Sequence, residues 1–274
     1  MKQKINHTCF YALVFVVVFL SLLPYLWFLN TSLKTPIEIT AIPPKLFPSG
    51  SLEFYISAIK EYNLMHFVKN STIVASLTTV ITIFISICAG YALARLRIRY
   101  KGFIMGSLLL VSMFPQISIA GPVWRIMQSL GWLNTYQGVI FPYVTLTLPL
   151  GVWILASFFK ELPEELEDAA RVDGCSHFQA LFKIIVPLSA PGVFTATILV
   201  FIYAWNEFFF ALLILTEKKY QTLPVGIALF QGQYEIPWGE IAAASTVATI
   251  PLVLLVFFFQ KKIIRGLSAG AIKG

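Results

Sequence analysis

Two groups of residues in this chain have the types and spacing to do chemistry. The first is an acidic stretch: six of the 13 carboxylates in the whole sequence fall between Glu161 and Asp173. It continues through Gly174, Ser176, His177, Phe178, Gln179, Leu181 and Phe182 to Pro187. The second is Trp205-Asn206-Glu207, which places a carboxylate inside a long apolar run. A charge in that setting is costly unless it faces a bundle interior or a watery path. A membrane-embedded enzyme needs clustered His, Asp or Glu near a membrane face, and the only acidic cluster here is that first stretch; His7, His66 and His177 share no metal-ligand spacing. Cys9, Cys88 and Cys175 are too far apart for a C-x-x-C motif and read as small apolar fillers. No G-x-x-x-x-G-K-[ST] phosphate loop is present, so this chain is not expected to hydrolyse ATP itself.

The elements that must position these groups are membrane spans. The 274 residues are 58% hydrophobic and only 12% charged, with mean hydropathy +0.79. A soluble domain carries about 25% charged residues to cover its surface, so lipid must cover part of this one. Runs of about 20 apolar residues, enough for a helix to cross the hydrocarbon core, occupy residues 9–29, 71–94, 102–124, 137–159, 191–216 and 241–260. Continuous runs of that length exclude a transmembrane barrel, whose strands alternate apolar and polar. The expected fold is all-α, a polytopic bundle of six transmembrane helices. Residues 1–69 form a first helix and external loop, 70–260 a core of five helices, and 261–274 a tail. The first run is longer than a secretory signal core and no small-residue cleavage site follows it, so it is expected to be a retained anchor. Thirteen Lys and Arg lie on one side of the spans and seven on the other, which places both termini in the cytoplasm. The net charge of +7 is therefore mostly a topology signal, and nucleic acid is not an expected partner.

The acidic stretch then lies on the cytoplasmic face, and its local chemistry predicts two short helices with a sharp turn. Pro163 suits a first helical position, and Glu164, Glu165 and Glu167 suit the first turns, where the helix dipole favours carboxylates. Gly174 is placed to end that helix in a left-handed conformation. Ser176 and Gln179 have capping-box spacing. Phe178, Leu181, Phe182 and Ile185 follow as one apolar stripe, and Pro187 and Pro191 end or kink the element. A helix lying on the membrane surface would be basic on its polar face; this one is acidic, which points to a protein partner.

The loop resembles the signature of permease subunits of binding-protein-dependent ABC importers: E-A-A, three residues, G, nine residues, I-x-L-P. Here it stands as Asp168-Ala169-Ala170, then Gly174, then Ile184-Ile185-Val186-Pro187, with Asp for Glu and Val for Leu. Residues 43–48, Ala92-Leu93-Ala94-Arg95, Met113-Phe114-Pro115, Ala204-Trp205-Asn206-Glu207 and the tail from Gly266 extend the resemblance to the carbohydrate-uptake, maltose-permease-like branch. The resemblance implies the type I ABC-importer permease fold with cytoplasmic coupling helices in the cytoplasmic membrane. It implies a second permease subunit, two copies of a cytoplasmic ATPase that binds ATP and Mg, and an external substrate-binding protein. The solute implied is a sugar, a di- or oligosaccharide. Asp168, Ala169, Ala170, Asp173, Gly174, Phe178, Leu181 and Phe182 are then the expected ATPase-coupling residues, with residues 269–274 a second contact. Trp205, Asn206 and Glu207, about 13 Å deep by helix rise, are the expected substrate-pathway residues, the indole stacking on a sugar ring. The chain itself is expected to need no cofactor.

Other classes predict features the sequence lacks. An ion-gradient-driven transporter predicts paired intramembrane charges or inverted repeats. An importer of a phosphorylated solute such as glycerol phosphate predicts Arg or Lys within the path, and the last three spans carry none.

Overall fold

The structure is a computed structural model that describes residues 7–230 and 236–269, with side chains described for 10–230 and 236–260. Among these residues every regular element is helical. The chain divides into two compact units, Met1–Met65 with Gly226–Pro251, and His66–Val225 with Leu252–Gly274.

In the first unit, α1 (His7–Ser32) is the first span. Residues 10–29 are exposed throughout, so this helix needs lipid or another subunit around it. The loop beyond it is locked by α2 (Pro36–Ile39), where Thr35 and Glu38 form a reciprocal capping box and Pro36 takes the first helical position. Glu38 also accepts hydrogen bonds from the Ser49 amide and hydroxyl and pairs with Lys45. The backbone N–H of Thr35, then the Ser49 donors and Lys45, hold its carboxyl down at about 2. The loose spacing of Phe54, Ile56, Ile59, Tyr62 and Leu64 predicts a short amphipathic helix within 52–69; α3 (Glu53–Lys60) is that helix, and it is shorter because residues from Leu64 already belong to the next span.

The second unit holds the core. Helix α4 (Leu64–Arg95) has 32 residues, about 48 Å at 1.5 Å each, longer than a hydrocarbon layer of about 30 Å. Its inward face is built from small and hydroxyl residues. Thr82 bonds Thr147 of α7 (Tyr136–Glu161) at 2.9 Å. One turn on, a Cβ at Gly151 would collide with Ser86 Oγ. Another turn on, a Cβ at Gly90 would sit 3.1 Å from Ala156 N. With little hydrophobic drive between helices in lipid, this close approach supplies the packing. Gly102 and Gly106, whose G-x-x-x-G spacing would suit a packing pair, have nothing within 4 Å.

Two expected spans are not straight. The third divides into α5 (Lys101–Met113) and α6 (Gln116–Ser129), bent by 94°. Phe114 and Pro115 are both extended, as the residue before a proline prefers. The fifth comprises α11 (Ala190–Asn206) and α12 (Phe209–Ile214), interrupted at Glu207 and Phe208. Among the described residues four helices are long and apolar enough to cross a membrane unbroken, and the count rises to as many as six when α5 with α6, and His177–Leu188 with α11, each form one span. A short helix α13 (Leu223–Ala228) and the long α14 (Trp238–Ala269) complete the chain. Residues 270–274 of the expected tail contact lie outside the described residues.

Candidate functional site

The acidic stretch folds as a rigid reversal. Helix α8 (Glu165–Val172) starts two residues later than Pro163, which lies outside it; Glu165, Glu167 and Asp168 occupy its first turn. Its end is a Schellman turn: Cys175 N donates to Ala170 O at 2.9 Å and Gly174 N to Arg171 O at 3.0 Å. Gly174 has φ +86°, the left-handed conformation expected of it. Helix α9 (His177–Ala180) restarts at once under the predicted capping box, Ser176 and Gln179 satisfying each other's backbone N–H groups. It then widens into a π-helical turn, Leu181–Ile185, continues as α10 (Val186–Leu188) and bends by 83° into α11.

The wide turn divides the expected apolar stripe, because five-residue hydrogen bonding changes the angle between successive side chains. Leu181 (2% exposed) and Ile185 (0%) point into the chain's own core with Ile83, Ile87, Leu155 and Phe159. Leu181 thus lies in the chain's own core and not on the displayed face, and Ala170, 3% exposed, likewise packs inward. Phe182 is half-buried and lies 4.7 Å, ring to ring, from Phe178. Phe178 and Val172 are 61% and 88% exposed. Asp168, Ala169, Asp173 and Gly174 are exposed beside them. A structured element between the spans therefore displays apolar and small residues, with a firm apolar anchor beneath.

Four residues that sequence reasoning did not select meet under this element. Glu167, only 8% exposed, accepts a short hydrogen bond from the Tyr91 hydroxyl and lies 3.2 Å from His177 Nδ1. Arg95 Nε is 3.9 Å from Glu167 and its Nη2 donates to Leu162 O at 2.6 Å. Spacing on α4 was the available signal: Tyr91 and Arg95 are four residues apart and share a face.

The second group occupies the break after α11. Both oxygens of Glu207 are engaged, accepting from Phe210 N at 2.9 Å and Ala211 N at 3.3 Å. The carboxylate thus caps α12 from inside the bilayer, where an unsatisfied N–H is costly. Tyr143, fully buried, donates to the Glu207 carbonyl at 3.4 Å. Trp205 is 3% exposed and stacks on Phe201 at 5.8 Å, so its ring is turned into the protein. Asn206 alone of the three is exposed; its Nδ2 donates to Ile202 O. Nearby, Gln116, at the start of α6, donates to the Tyr203 hydroxyl at 2.8 Å, joining the two broken spans. Among the described residues no group of three His, Cys, Asp or Glu is placed to hold a metal.

Long apolar helices, two broken spans and an exposed helix pair beyond them are the features of a multi-pass membrane protein. The comparison with known proteins is specific: residues 82–269 match the family model for the binding-protein-dependent transport system inner membrane component, and the chain belongs to that family. It is 47% identical over 257 residues to the trehalose/maltose transport system permease protein of Thermococcus litoralis, covering 92% of each chain. It is 45% identical to the sulfoquinovosyl glycerol transport system permease protein of Agrobacterium fabrum, over 92% of this chain and 89% of that one. Among solved structures, a bacterial ABC transporter involved in the import of the acidic polysaccharide alginate matches with TM-score 0.80 and 19% identity, a likeness of fold. That match covers 94% of this chain and 96% of the other.

Proposed function

We propose that this chain is one of two membrane permease subunits of an ATP-driven importer that carries a sugar, a di- or oligosaccharide, into the cell. A pair of cytoplasmic ATPase subunits binds ATP and Mg and drives it, an external binding protein delivers the solute, and both termini face the cytoplasm. The observation that carries this reading is the loop of α8 to α10. Its exposed Asp168, Ala169, Asp173, Gly174 and Phe178 fit a cleft of an ATPase subunit, with Ala169 and Gly174 allowing backbones to approach and Phe178 filling a pocket. Ala170, Leu181 and Phe182 serve that docking from beneath by holding the loop on the spans. Its relatives, named as permeases for trehalose or maltose and for sulfoquinovosyl glycerol, support a sugar.

The breaks in the third and fifth spans mark the solute path. Non-helical backbone at membrane depth is tolerated where it lines a cavity, and Asn206 is the exposed polar side chain at the break in the fifth span. Trp205 and Glu207 act in that path by shaping and bracing the break. The test is capture of the tagged chain from gently solubilised native membranes. Co-purification of a second multi-span permease and an ATPase in matched amounts is expected, with ATP hydrolysis stimulated by the cognate binding protein. Recovery of this chain alone would overturn the reading.

A further inference from the structure

We propose that Tyr91, Arg95, Glu167 and His177 form a polar joint that carries movement of the cytoplasmic loop into the spans. These are positioning residues, and the inference rests on the docking role given to the loop above.

The joint is needed because the loop helices are too short to hold their own direction. α8 has eight residues and α9 four, well under the 12–15 at which an isolated helix becomes even marginal. Contacts with the spans must set their angle. The apolar anchor, Leu181 and Ile185, holds only the far limb of the reversal, beyond the wide turn. The near limb, α8, is held by the small inward-facing Ala170 and by the one buried polar side chain, Glu167, on which four elements converge. α4 supplies Tyr91 and Arg95, α9 supplies His177, and the end of α7 supplies the Leu162 carbonyl that Arg95 grips. Glu164 adds an outer contact at 3.9 Å from Arg95.

The chemistry suits a link that transmits force. Tyr91 and His177 Nδ1 converge on the same oxygen, Oε1, at the mouth of the reversal, while the guanidinium faces Oε2. The carboxylate is buried, so displacing it from these partners strands a charge. The arginine side chain is itself 5% exposed and shares the penalty. Any shift of α8 relative to α4 therefore breaks the Tyr91–Glu167 hydrogen bond and draws the Glu167 carboxylate away from the guanidinium 3.9 Å from it, whereas moving α8 and α4 as one body keeps both. The second path is the cheaper one, and it turns a push on the loop into a movement of α4 and α7.

The experiment uses the assembled complex, permeases with ATPase, in nanodiscs. Cys9, Cys88 and Cys175 are replaced by serine, and Asn206→Cys reports on the break in the fifth span. Its labelling rate by a polar maleimide is measured without nucleotide and after trapping with ATP and vanadate. The unaltered joint should give a large nucleotide-dependent change in rate. Glu167→Gln should cut that change about tenfold, the scale set by losing a hydrogen bond to a charged group, while ATPase still co-purifies and hydrolyses ATP. Tyr91→Phe should act in the same direction, and the double variant should be no worse than Glu167→Gln, as expected of residues in one network. A full nucleotide response in both single variants would overturn the joint. So would loss of assembly in Tyr91→Phe, which removes one hydroxyl and would then serve folding alone. Failure of the docking reading looks different: the parent complex itself would retain no ATPase or show no response to trapping.

Discussion

Gly174 separates two reasons for a glycine, a turn that needs it and a partner that comes close to it. Its φ of +86° lies in the left-handed region, and a Cβ there would meet nothing within 4 Å in the isolated chain. Gly174→Ala therefore creates no clash within the chain and adds only backbone strain, about 1–2 kcal/mol. That corresponds to roughly a five- to thirtyfold smaller population of the ordered turn. Gly174→Asn adopts the left-handed region more readily, so its strain is smaller, about half, yet its side chain is longer. If the turn were all that mattered, Asn would outperform Ala. If an ATPase surface approaches Gly174, Asn should be the worse of the two despite its better backbone. The assay is the amount of ATPase retained by the detergent-solubilised chain across a titration, with thermal unfolding recording the strain separately. We expect Ala to weaken retention by the strain factor alone and Asn to weaken it more. Asn retaining more ATPase than Ala would refute close approach at this position.

Gly138→Ala would drive a Cβ into the Trp132 carbonyl oxygen and to 3.2 Å from Ile214 Cγ2. Because backbone cannot step aside, it should destabilise by about 3 kcal/mol or more and lower the unfolding temperature in detergent, while Gly106→Ala, in open space, should not. Glu207→Ala leaves the Phe210 and Ala211 N–H groups without their acceptor and should cost about 1–3 kcal/mol. Glu207→Gln keeps an acceptor and should cost less, and equal melting temperatures for the two would remove the cap from the account. In the external loop, Glu38 is held down from 4.5 to about 2. A depressed carboxyl contributes stability above its unfolded value and loses it as pH falls through the folded one. Amide protection across residues 35–49, the exchange rate taken relative to the intrinsic rate at each pH, should therefore be steady from pH 7 to about 5 and fall between 4.5 and about 2. Glu38→Gln should show fast exchange already at pH 7.

Much of the cytoplasmic loop is legible because its signals are local. A capping box, a C-terminal glycine and a proline act within three or four residues, so Ser176, Gln179 and Gly174 take their expected places. Helix α8 still begins later than Pro163 suggests. An α-helical period predicts one stripe of Phe178, Leu181, Phe182 and Ile185, and a π turn alters that period in its middle. Hydropathy locates the spans, but it averages over windows and is blind to a two-residue break. The 94° bend at Phe114-Pro115 and the interruption at Glu207-Phe208 therefore look like continuous helix in the sequence.

By itself, the sequence determined that the chain lives in a bilayer and where it enters and leaves. Burying some twenty apolar residues at a time admits no other solvent. It also determined the family, through a loop whose spacing is set by local turn chemistry. Only the tertiary structure decided which of these residues work together. Tyr91 and Glu167 are 76 positions apart, beyond the reach of any local rule, and they meet because α4 runs on to Arg95 and the reversal folds back against its end. It likewise decided that Leu181 faces inward and Phe178 outward, since which side of a short helix is covered depends on the spans it rests against.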